Sequence, residues 1–356
     1  MIKATNPRSK LTHFFASSFC HNPSLFQSFL QQRRSYRLQP TMDWIQRHCL
    51  SWLPQRIMTH DRWDKCLFLH WKIPPELEGI LQEPTAPFAL DRYEADGCAY
   101  IGLILLTEQG IQLLPGILPS WLPFSHYGVN VRTYCRGPNG ETSSSSLKNN
   151  NHQNDPGIHF VSLECDNSFM GLTARIIAGA PYQLANMTRS DTSSSHDTGL
   201  FLASQRILPD SRPWKWLWHI TLEFTRRLFR ALSFQSSSKP QLLPSKPTAF
   251  SVECRWERHS DPQNRVVEDS SFATWVVERY YCYSRNAAGL SWKGTIQHSP
   301  WPLEQVQSYH LQLHNIETYA PIQMQPIVEY ISHTPPDSVL YSPGVGPIHF
   351  VPLQMV

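Results

Sequence analysis

The chain has 356 residues, a formal net charge of +3, 17% charged residues and 41% apolar ones. So small a charge, with no stripe of Lys and Arg interleaved with aromatics, argues against a nucleic-acid partner. The longest apolar run, 99–106, is too short for a transmembrane segment, which takes about 20 residues. The 29 prolines and 12 tryptophans favour a loop-rich β protein with a substantial core. The 8 cysteines stand singly, without a C-x-x-C pair, so neither a disulfide framework nor a zinc ribbon is indicated. Scattered thiols of this kind fit an intracellular soluble protein.

Residues 1–42 contain no acidic residue but carry Lys3, Arg8, Lys10, Arg33, Arg34 and Arg37. That is the pattern of a mitochondrial or plastid transit peptide. The other reading is an extension upstream of a start at Met42, and the protein is then cytoplasmic. A single domain is expected over 52–356, with loop insertions at 137–157 and 210–248.

Leu67–Trp71 reads as a strand, and Ile73–Leu81, opened by Pro74-Pro75, as a short helix. Phe88–Glu94 and Cys98–Leu106 read as a hairpin turned by Ala95-Asp96-Gly97. Residues 110–128 read as loop. Val129–Cys135 alternates, with Asn130, Arg132 and Tyr134 on one face. Ile158–Cys165 alternates again. Asn167 or Ser168 then caps a helix that is apolar nearly all round, and so expected to be buried; Gly179 and Pro181 end it. Tyr182 and Gln183 emerge at a well-held position. The Ser-rich stretch Thr188–Thr198 reads as a loop.

Leu200–Ile207 fits a strand. Trp214–Leu232 fits a helix with an apolar stripe and a late Arg cluster, able to lie on a membrane, grip a protein or pack on its own domain. Residues 233–247 form a linker. Phe250–Trp256, Trp275–Ser284, Leu290–His298, Gln305–Asn315 and Pro347–Leu353 read as further strands. The whole predicts a mainly β, α+β protein: an antiparallel β sandwich or barrel with a few packed helices.

An ordered set of motifs carries a family resemblance: Leu67–Trp71 (LFLHW), Ala99–Gly102 (AYIG), Asn130–Tyr134 (NVRTY), Phe160–Leu163 (FVSL), Ala174–Tyr182 (ARIIAGAPY), Glu278–Tyr280 (ERY) and His298–Leu303 (HSPWPL). The chain resembles the YqjF-like family, domain of unknown function 2071. The resemblance implies an acetoacetate-decarboxylase-like fold, a sandwich or cone-shaped barrel around a central cavity. Such decarboxylases follow a similar G-x-P passage with two lysines, the first forming an imine with the ketone. Here Gly179-Ala180-Pro181 is followed by Tyr182-Gln183, which cannot form one. Asn130 is the nearest counterpart of the decarboxylase's acidic residue.

The candidate pocket residues are Tyr182, Glu278 and His298 for acid–base work, and Arg132, Asn130, Tyr280 and Gln183 for binding substrate. Arg132 suits a carboxylate or phosphate by its fork geometry. The structural alternative is that Glu278 pairs with Arg279 or Arg132 between strands and Tyr182 only closes the helix. No cofactor motif appears, and His60, Cys66 and His70 lack the spacing of a metal site. Two functions remain open. One is a protein that binds or converts a small organic acid or carbonyl compound without a lysine imine, by lyase- or hydrolase-like acid–base chemistry if it is an enzyme. The other is a non-catalytic scaffold using Trp214–Leu232.

Overall fold

The computed structural model describes residues 58–113, 124–137, 155–178, 180–194, 197–207, 249–265, 267, 270–285, 291–319 and 321–356. The basic N-terminal segment and Trp214–Leu232 lie outside these residues. Among the described residues, no helix is long and apolar enough to cross a membrane.

The elements run β1 (Met58–His60), β2 (Arg62–Lys72), α1 (Pro75–Thr85), β3 (Ala89–Leu90), β4 (Tyr100–Leu113), β5 (Phe124–Arg136), β6 (Pro156–Cys165) and α2 (Ser168–Ala178). There follow β7 (Tyr182–Ser194), β8 (Asp197–Arg206), β9 (Ser251–Arg258), α3 (Ser270–Val277), β10 (Tyr281–Arg285), β11 (Ser291–Gln297) and β12 (Glu304–His314). The last are α4 (Gln325–His333), β13 (Ser338–Val345), β14 (Ile348–Phe350) and β15 (Gln354–Met355). The protein is mainly β, as expected. Pairing is antiparallel except where β6 meets β7 and β10.

The strand pairings close into two rings. One runs β6-β7-β8-β9-β12-β13-β2-β4-β5 and back to β6. The other runs β6-β10-β11-β14-β1-β4-β5 and back to β6. Strands β4, β5 and β6 form the wall they share. Because successive side chains point to opposite faces, this wall and the adjoining β2 serve two cores. Leu67, Leu69, Ile101, Leu103, Leu105, Val129 and Val131 pack with Leu202, Val252, Trp256 and the α4 residues Ile327 and Val328. Their alternates Phe68, Tyr100, Ile104, Leu106 and Tyr134 pack with Ala273, Val276 and Val277 of α3. Burying one such side chain contributes about 1.5–3 kcal/mol, so a one-residue slip of register would forfeit both cores.

Several expectations need correction. Residues 110–128 are not all loop: β4 continues to Leu113 and β5 begins at Phe124. Within Thr188–Thr198, the described residues 188–194 and 197–198 are not loop either. They belong to strands β7 and β8, paired from Ala185↔Arg206 to Ser194↔Asp197, because cross-strand pairing overrides a polar, Ser-rich composition. Ser270–Val277 is helical, so Trp275–Ser284 is a strand only from Tyr281. A short apolar run such as SFATWVV fits either state by periodicity. The Phe88–Glu94 hairpin arm shrinks to Ala89–Leu90 and pairs with β5, not β4. The Asp96-Gly97 turn does form, with Gly97 at φ +70°. On helix α2, expected to be buried, Met170 is buried, but Phe169 is 39% exposed and Arg175 is exposed.

Candidate functional site

The middle of the shared wall positions the site. Across β2, β4 and β5 the register sets His70 opposite Gly102 and Gly102 opposite Arg132. Side chains two residues apart on a strand share a face. Asn130, Arg132 and Tyr134 therefore line one face of β5, with Gly102 and Ile104 of β4 and His70 of β2. This is the face covered by α3.

Arg132 is 8% exposed. One of its terminal nitrogens donates to the Val276 carbonyl at 3.0 Å. Its guanidinium lies 5.8 Å from the Phe68 ring centre and 5.7 Å from that of Tyr134. Among the described residues, its Nε has no hydrogen-bond partner and no carboxylate pairs with it. Arg279 is the contrast. It packs on the same Tyr134 ring at 5.3 Å, but donates to Asp91 at 2.7 Å. Asp91 is itself shared with Arg136, also at 2.7 Å. Burial lowers the Arg279 pKa and the Asp91 charge opposes that shift. The structural pairing foreseen between Glu278 and Arg279 or Arg132 does not form.

Glu278, Tyr280 and His298 do come together. The Tyr280 hydroxyl donates to one Glu278 oxygen at 2.5 Å, and the Trp301 backbone N–H donates to the other at 2.8 Å. Burial, and then this bond to Glu278, push the Tyr280 phenol up to about 12. With both oxygens engaged, Glu278 fixes the Pro300-Trp301-Pro302 corner. His298 stacks on Tyr280 with ring centres 4.8 Å apart, and its Nδ1 lies 2.7 Å from the Ser299 carbonyl. Burial lowers its pKa, and the Arg132 charge adds to that.

Tyr182 opens β7. Asn167 Oδ1 caps α2 by accepting from the Met170 N–H at 3.1 Å, and Arg175 donates to the Tyr182 carbonyl at 2.7 Å. These bonds set the chain's exit from α2. Parallel pairing places Tyr182 beside Leu163 and Gln183 beside Glu164. Leu163 is opposite Asn130 on β5, so Tyr182 shares the Arg132 face while Gln183 points to the other core. That separates Gln183 from the remaining candidates. Burial, then the nearby Glu108 charge, raises the Tyr182 phenol well above its usual 10.0. Asn130, Phe160 and Tyr182 each keep part of their surface accessible, although the opposite face of β5 is packed core.

Sequence reasoning missed two groups on this face. At the far end of β4 and β5, Glu108 lies 3.1 Å from His60 Nδ1 and 3.4 Å from His126 Nε2, all three buried. Beside Arg132, His70 is fully buried, and neither ring nitrogen has a hydrogen-bond partner among the described residues. Burial and then the Arg132 charge hold His70 well below its usual 6.5, so its imidazole is neutral. The signal available was a histidine at an inward position of an apolar strand. A cleft of about 440 Å³ lined by Asp61, Arg62, Trp301 and Gly346 contains none of the predicted residues.

No curated protein matches the chain. Among solved structures, its course resembles acetoacetate decarboxylase from Legionella pneumophila, at 11% identity and a TM-score of 0.47, over 86% of this chain and 90% of that one. It also resembles the enduracididine biosynthesis enzyme MppR complexed with pyruvate, at 8% identity and a TM-score of 0.45, over 83% and 90%. Likenesses this low carry nothing about the chemistry here. The model of the DUF2071 family, described as an uncharacterized conserved protein (COG2071), matches residues 60–346, and the chain belongs to that family.

Proposed function

We propose that the protein binds a small organic acid inside the second ring, with the acid's carboxylate on Arg132 and no lysine imine. The observation that carries this reading is the Arg132 guanidinium itself: buried, held by one backbone carbonyl, and without a carboxylate among the described residues. An uncompensated charge in a core costs several kcal/mol. A ligand carboxylate would supply the missing charge and meet the fork with charge-assisted hydrogen bonds. Asn130, two residues along the same face, adds a neutral amide, and Tyr182 adds a phenol that stays protonated at neutral pH.

A route without an imine is supported by Tyr182 and Gln183 standing directly after Pro181. Among the described lysines, Lys72 is held by Asp96 at 2.9 Å and Lys293 by Asp155 at 2.6 Å. If the bound acid is converted, the acid–base groups are Tyr182 and the neutral His298; Glu278 serves as an anchor.

A thermal-shift panel pairing acetate, propionate and benzoate with their neutral amides tests the reading. A ligand at 100 times its Kd stabilises the native state by about 2.7 kcal/mol. The acids should protect the wild type and the amides should not, and Arg132→Ala should fold and lose the protection. Equal protection by acids and amides, or protection that survives in Arg132→Ala, would overturn it.

A further inference from the structure

The first ring closes incompletely. β12 and β13 pair only at Glu304↔Tyr341 and Gln305↔Leu340. On its other side β12 stays paired with β9 as far as His314↔Ser251. Beyond Gln305, no other strand among the described residues takes the place of β13. Every second residue of an edge strand turns its N–H and C=O away from its one neighbour, so this edge of β12 offers unpaired donors and acceptors. A cleft of about 450 Å³ opens along it. Residues 309–314 bound the cleft on one side, and residues 331–336, where α4 runs out towards β13, bound it on the other.

Native proteins guard such an edge with Lys, Pro, a charge or a bulge. Here the bulge lies earlier, between Val306 and Ser308, and residues 309–314, YHLQLH, contain no Lys, Arg, Asp, Glu or Pro. Tyr309, His310 and Gln312 are exposed. Side chains directly opposite each other on paired strands share a face, so the cleft sets the pattern of a strand that enters it. On one face Leu311 and Leu313, half-buried, reach the first core near the buried Ile331. On the other stand His310, Gln312 and His314, with His333 in the opposite wall. The lining holds three imidazoles and no carboxylate. Imidazole N–H groups donate to an acidic side chain, and nothing in the lining repels one. On β9, Arg255 and Glu253 stand opposite His310 and Gln312 and offset each other.

We propose that this edge of β12 takes up one extended peptide segment of a partner protein as an added strand, apolar and acidic at alternate positions. Backbone hydrogen bonds to β12 supply the affinity and the alternation supplies the specificity. The apolar side chains cover Leu311 and Leu313, and the acidic ones meet His310 and His314. The wall at 331–336 favours a single chain over a second copy of this protein. In a second copy β12 carries β9 along its other edge, which would bring a whole sheet against that wall.

The test is fluorescence anisotropy at neutral pH with the full-length protein and three labelled hexapeptides: EVEVEV, KVKVKV, and EVEVEV carrying an N-methyl group on every backbone amide. The acidic peptide should bind, the basic one at least about tenfold more weakly, and the N-methylated one not at all. His310→Glu, at an exposed position, should fold, as circular dichroism would verify, and bring the two affinities together. Adding His333→Glu, also at an exposed position, should turn the preference to the basic peptide. No binding of the acidic peptide, equal binding of the acidic and basic ones, binding that survives N-methylation, or an unchanged preference in both variants would overturn the proposal. So would a wild-type dimer, seen by sedimentation, that excludes the acidic peptide, since the edge then belongs to a second copy.

Discussion

Arg132→Met separates an arginine that awaits a ligand from one that holds the fold together. The substitution removes a buried guanidinium lacking a counter-charge, which relieves about 3–5 kcal/mol, the penalty an unpaired buried charge imposes. Against this, the Val276 carbonyl loses its donor, at about 1–3 kcal/mol. The contacts with Phe68 and Tyr134 are weakened by about 0.5–1 kcal/mol each. The methionine keeps most of the apolar stem packed against α3. The balance lies between a loss of about 2 and a gain of about 3 kcal/mol, which in a domain of this size moves Tm by less than about 10 °C in either direction. Urea and thermal denaturation of the ligand-free protein measure it. A loss of about 3–5 kcal/mol, as when one partner of a buried ion pair is removed, would refute the reasoning and make Arg132 a structural residue.

Asp91→Asn should behave oppositely. It strands the buried Arg279 and should cost about 3–5 kcal/mol in urea denaturation; an unchanged midpoint would contradict the pairing. For Glu108, burial favours protonation, but the neighbouring His126 and then His60 outweigh it and hold the carboxyl below its usual 4.5. A carboxyl depressed in the folded state contributes stability above its unfolded pKa and loses it as pH falls through the folded one. Glu108→Gln should therefore be destabilised at neutral pH and lose less stability than the wild type on acidification below 4.5; parallel acid limbs would contradict this. Gly157→Ala would put a Cβ 2.7 Å from both the Tyr281 carbonyl and the Tyr283 ring. The overpacking should cost about 1–3 kcal/mol, read as a lowered Tm.

The shared wall was largely legible in the sequence, because strands buried on one or both faces write their period into the chain. Leu67–Trp71, Val129–Cys135 and Ile158–Cys165 all became strand, and Asn167 does cap α2. The β7–β8 hairpin was not legible. Its Ser and Thr residues look like loop until β7 and β8 pair with each other, each strand anchored at its base by β6 or β9. Helix α3 failed for the reason that a short apolar run has no decisive period. At the site, Arg132 and Asn130 could be assigned to one face from alternation alone. His70 could not be connected to them, since its place beside Gly102 and Arg132 is a matter of non-local register. The same limit applies to Glu278, whose role as an anchor depends on the Trp301 N–H from another segment.

The most direct measurement is a crystal structure of the wild-type protein grown with saturating propionate. The Arg132 reading predicts a carboxylate oxygen at about 3 Å from Arg132 Nε, as a hydrogen bond requires, inside the second ring. A propionate bound elsewhere, or an Arg132 Nε satisfied by the protein's own carboxylate, would contradict it.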